Sequence, residues 1–109
     1  MAGSIYNRAV GAPISLETAR ERKKSFAASF AAPGTRTAHF IGRDIIEKIF
    51  AQPGCVGVRV YYGNSGTGSE IMFVGTDDKG NDMLPASGNN YIIADDVIPC
   101  PPYCAENGL

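Results

Sequence analysis

Apolar residues recur at helical spacing twice in the first half of the chain and at alternate positions in the second half. Leu16, Ala19, Phe26, Ala27 and Phe30 fall near one face of a helix predicted from Leu16 to about Ala32, with Ser15 as N-cap and Glu17 in its first turn. Its middle, Arg20 to Lys24, is polar all round, so the apolar stripe is thin. Pro33-Gly34 stops it. Ala38, Ile41, Ile45, Ile46, Ile49 and Phe50 predict a second helix with Arg43, Asp44, Glu47 and Lys48 on its other side. Gly42 lies near that stripe; a glycine there costs about 1 kcal/mol of helix propensity, which implies close packing of another element.

After Pro53-Gly54 the period changes to two. Val56, Val58, Val60 and Tyr62 form one face of a predicted strand, the natural cover for the isoleucines, while Cys55, Gly57, Arg59 and Tyr61 form the other. Gly63 to Ser69 reads as a flexible connection. Glu70 to Thr76 is a second strand whose nearly continuous apolar run implies cover on both faces. DDKGND is a tight turn with Gly80 at the positive φ, and short strands are predicted around Asp82 to Leu84 and from Tyr91 to Ala94. The fold class is α+β: two N-terminal helices, then an antiparallel three- to four-stranded meander, then an extended proline-rich tail. The expected divisions are an arm over 1–14, one domain over 15–97 and a Cys/Pro-rich tail over 98–109.

Composition bounds the partners. The chain has 109 residues and a formal net charge of −1, so it carries no broad basic field for nucleic acid or anionic membrane. The basic cluster on the first helix is interrupted by Glu17 and Glu21 and reads as a solvated face. The N-terminus does not read as a secretory signal, and no apolar run is long enough to span a bilayer. The expected location is the cytoplasm, where an odd number of cysteines, three, stays reduced.

The least generic stretch is Ile98-Pro-Cys-Pro-Pro-Tyr-Cys, whose prolines favour an extended path outside any sheet. It admits three readings. Cys55, Cys100, Cys104 and His39 are the donor types of a zinc site, and the Cys100–Cys104 spacing suits a zinc pair. Cys55 with the C-terminal pair also resembles the arrangement of A-type iron–sulfur carriers, although three residues rather than one separate the pair here. Alternatively, Cys100 and Cys104 close a small loop or pair between subunits, or the thiols are incidental and Cys55 is a small buried hydrophobe. No cofactor is expected under the last reading; zinc or an iron–sulfur cluster belongs to the first.

No catalytic residue emerges. Cys55 follows a Pro-Gly stop without a helix start to depress its pKa, adjacent aspartates on a strand face opposite ways, and GNSGTG lacks the lysine of a phosphate loop. The candidate interface residues are Arg59 and Tyr61 on the outer strand face, with Pro101, Pro102 and Tyr103 in the tail.

The segment AHFIGRDIIEKIFAQPGCVGVRVYYG, the turn VGTDDKGNDMLP and the ending PCPPYC resemble a group of small uncharacterised bacterial proteins of the Bacteroidota type, over about the last two thirds of the chain. The resemblance implies a bacterial single-domain protein and carries no activity, fold or ligand with it. The expected function is a non-enzymatic self-assembly or partner-binding module, a homo-oligomer or a binder of another protein, that uses arm, tail and exposed sheet face. A thiolate zinc or iron–sulfur carrier is the alternative. A small enzyme with a pocket beside Arg59 comes third.

Overall fold

The computed structural model describes residues 4–30 and 32–109. It is a mixed α+β structure with two helices, α1 (Leu16–Ser29) and α2 (Arg43–Phe50), and five strands: β1 (Ala38–Phe40), β2 (Gly57–Asn64), β3 (Ser69–Thr76), β4 (Ile93–Ala94) and β5 (Ile98–Cys100). Strands β2-β3-β4 form an antiparallel meander, and β1 pairs with β5 in a separate two-stranded antiparallel ribbon.

The core sits where α2 crosses the meander. Ile49 is fully buried, with Phe73 and Ala94 against it and Ile41, Ile45, Ile46 and Val58 around them. Gly75 makes this approach possible. A Cβ at that position would meet Gln52 Nε2 at 2.7 Å, Ile49 Cγ2 at 3.3 Å and Cys55 Sγ at 3.4 Å. Gln52 has no freedom to retreat, because its Nε2 donates to Ile49 O (3.2 Å) and its Oε1 accepts from Ile92 N (2.9 Å). One side chain thus ties the end of α2 to the approach to β4. As expected, both faces of β3 are covered near its end: Phe73 lies under α2, and Val74, which points to the opposite face, is also buried.

Helix α2 starts later than the sequence pattern predicts. Ala38, His39 and Phe40 are extended, and Gly42 is the N-cap (φ −69°, ψ 151°) rather than a packing contact; a Cβ there would touch nothing within 4 Å. The valine face is also only partly used. An eight-residue helix is about 12 Å long, whereas an eight-residue strand spans about 27 Å. Val58 reaches the core, but Val60 and Tyr62 run out beyond the helix and are exposed.

The β2–β3 ladder extends further than predicted, with Gly63 paired to Glu70 and Asn64 to Ser69. The expected strand at Asp82 to Leu84 reduces to a single bridge, Thr76 to Asp82, plus Met83 N donating to Gly75 O (2.8 Å). Between them the DDKGND turn forms as read, with Gly80 at φ +83°. Asp77 Oδ1 accepts from Lys79 N and Asn81 N (2.9 Å each), and these bonds, that of Asn81 foremost, hold its carboxyl below its ordinary pKa.

The prolines do not keep the tail outside every sheet, because Ile98–Cys100 is a strand paired with β1. Pro99, opposite His39, is tolerated since both strands of a two-stranded ribbon are edges. Helix α1 ends at Ser29 with Phe30 as C-cap; Ala31, within its predicted extent, and residues 1–3 of the predicted arm lie outside the described residues. Ser15 caps α1 as expected, its Oγ accepting from Thr18 N (3.0 Å).

Replacing Gly75 by alanine should lower stability by about 1–3 kcal/mol, read as an earlier urea midpoint, because either Ile49 or the Gln52 clamp must move. Ile49→Ala should cost about 2–5 kcal/mol in the same measurement.

Candidate functional site

Two places gather the residues singled out by the sequence. The first is the outer face of β2. Arg59 Nη1 donates to Asp82 Oδ1 (2.6 Å) and to Gly80 O (3.0 Å), and Tyr61 OH donates to Asp82 Oδ2. The Tyr6 ring lies over the Arg59 guanidinium, with 5.6 Å between Cζ and the ring centroid. Gly80 makes room for it, since a Cβ there would collide with the Tyr6 ring. The arm therefore docks on its own chain through Tyr6. Asp82 thus engages one guanidinium nitrogen of Arg59 and the hydroxyl of Tyr61. Neither Asp82 nor Tyr6 was singled out from sequence. A single arginine in an otherwise apolar strand was the one signal that a counter-ion had to lie nearby.

Hydrogen bonding to Asp82 first, then desolvation and the charge of that carboxylate, raise the Tyr61 pKa above its ordinary value. The Arg59 guanidinium is likewise held more firmly in its charged form, chiefly by its bond to Asp82.

The second place is an open groove of about 1130 Å³ between α1, the β1–β5 ribbon and the tail. Phe26, Phe40, Ile98 and Tyr103 give it apolar walls, and Lys23 Nζ donates across one end to Leu109 O (2.8 Å). Pro102 and Tyr103 lie at its margin within the loop closed by a Cys100–Cys104 disulfide. Pro101, also in that loop, is exposed. His39, on β1, lines the groove, and its Nε2 lies 3.2 Å from Ser69 O. Arg36 Nη1 donates to the same carbonyl (2.6 Å). This carbonyl links the ribbon to the meander.

The four candidate metal ligands are not brought together. Cys55 is free, half-buried in the connection between α2 and β2, and its Sγ donates to Gly57 O (3.1 Å). Cys100 and Cys104 are bonded to each other, and His39 faces Ser69. Among the described residues there is no group of three or more His, Cys, Asp or Glu side chains placed to hold a metal ion. Thiolate ligation at the pair would require the bridge to be reduced. Among the described residues no helix is long and apolar enough to cross a membrane.

No protein-family model matches the chain, and neither a curated protein nor a solved structure matches it.

Tyr61 should ionise above the ordinary tyrosine value of about 10. The folded form then holds this proton where the unfolded chain has lost it, so the contribution to stability is intact below about 10 and is lost as pH rises through the folded value. Ultraviolet titration of the phenolate, with Tyr61→Phe to identify the residue, should show the transition shifting back towards the ordinary value in Asp82→Asn.

Proposed function

We propose that the protein is a non-enzymatic self-assembly module, in which a second copy covers α1 and the groove beside it. One observation carries this reading. Helix α1 has 14 residues and buries none of them. A helix of that length without packing is marginal in water, since tertiary contact with an apolar face supplies most helical stability. Yet Leu16, Phe26 and Phe30 stand exposed on it.

The surface area supports the same conclusion. The chain exposes 8316 Å², whereas a compact monomer of its mass exposes about 5800 Å². The excess is about 2500 Å² per chain, and removing it in a pair would bury about 5000 Å², the upper end of the range for permanent homodimer interfaces. The radius of gyration, 16.1 Å against about 13 Å for a compact chain of this length, has the same origin. Near-neutral charge favours an apolar protein contact over nucleic acid. The disulfide supports an oxidising setting rather than the cytoplasm.

Light scattering on a size-exclusion column should give a multiple of the 11.5 kDa chain mass. Phe26→Glu with Phe30→Glu should lower that mass and reduce far-ultraviolet helical signal together, because α1 loses its cover. A wild-type chain that is monomeric over the whole concentration range, with α1 still helical, would overturn the reading.

A further inference from the structure

The meander has a free edge. In the order β2-β3-β4, strand β2 pairs only with β3. Ser65 N donates to Gly68 O (3.1 Å) at the hairpin end, and this bond fixes the alternation of the ladder. Counting back by two, Gly63, Tyr61, Arg59 and Gly57 exchange bonds with β3, so the N–H and C=O groups of Val58, Val60, Tyr62 and Asn64 point away from the sheet. Among the described residues none of these outward groups has a backbone partner. Little in the sequence blunts this edge: from Val58 to Asn64 there is no proline or lysine, the one charged residue, Arg59, is paired with Asp82, and the eight register pairs run without a bulge.

We infer that β2 pairs antiparallel with β2 of a second copy, about a twofold axis at Tyr61, to make one continuous six-stranded sheet. This rests on the self-assembly reading but uses a surface separate from α1. The residues that a second copy would set opposite one another fit this edge. The four outward residues are spaced evenly about Tyr61, so a twofold-related copy satisfies every one of them: Val60 faces Tyr62, and Val58 faces Asn64. On the α2 side this places Val60 against Tyr62, which is 86% exposed in the single chain, the most exposed large apolar residue among the described residues. On the other side Tyr61 faces Tyr61 and Arg59 faces Gly63, so no like charges are opposed.

The outward direction of Val60 N makes the pairing testable without breaking the hairpin. Val60→Pro removes a donor that β3 does not use, a position where an edge strand tolerates proline. Tyr62→Lys places a charge on the same edge and keeps the backbone intact, so it decides the matter if the proline variant misfolds. In light scattering, the assembled mass should fall at least twofold in each folded variant with far-ultraviolet dichroism unchanged. Oxidative cross-linking reads the register: Tyr61→Cys should give a covalent dimer, and Arg59→Cys, which faces Gly63, should not. If the wild type assembles and Tyr62→Lys keeps its full mass, the edge pairing is overturned and the self-assembly reading stands. A monomeric wild type overturns both.

Discussion

The structure depends on one close approach, that of Ile49 to the hydrogen in place of a side chain at Gly75. It lets a two-turn helix sit low enough on β3 to bury Ile49 completely and to cover Phe73. The Gln52 clamp to Ile92 is within reach only at that distance, and Ala94 follows into the core behind it. Few residues are buried in a chain of this size, so this junction stabilises what the rest of the molecule is hung upon.

The elements around that junction were legible in the sequence because each announces itself locally. Period-two alternation marked β2, a nearly continuous apolar run marked β3, Pro53-Gly54 marked the end of α2, and Gly80 marked the turn. The continuous apolar run of β3 signalled cover on both faces, and the neighbours Phe73 and Val74, which point to opposite faces, are both buried. The expectation that the whole valine face would be used failed on length alone. Periodicity says which way Val60 and Tyr62 point, but not that α2 stops short of them.

The ribbon was not legible, and for a physical reason. Strands β1 and β5 have three residues each and lie far apart in the chain, so neither carries enough pattern to be recognised alone. Pro99 argued against a strand, correctly for a central one and wrongly for an edge. His39 was read as a candidate metal ligand, but it lies on β1 beside a carbonyl of β3. The site residues fared similarly. Arg59 and Tyr61 were visible as unusual in an apolar strand, whereas their partner Asp82 is identified only by the path of the turn.

The Ser69 carbonyl that receives Arg36 and His39 has a dynamic consequence. Apart from chain continuity and the anchoring of Ile41 and Val97 in the core, it is the polar joint between ribbon and meander. The Cys100–Cys104 bridge spans only four positions within the ribbon's own end and does not fasten it to the meander. The ribbon can therefore open as a unit of low local stability while Ile49 and the long hairpin stay closed. Amide protons would then sort into two classes, slow-exchanging in the meander and fast-exchanging in the ribbon, within a chain that has one core.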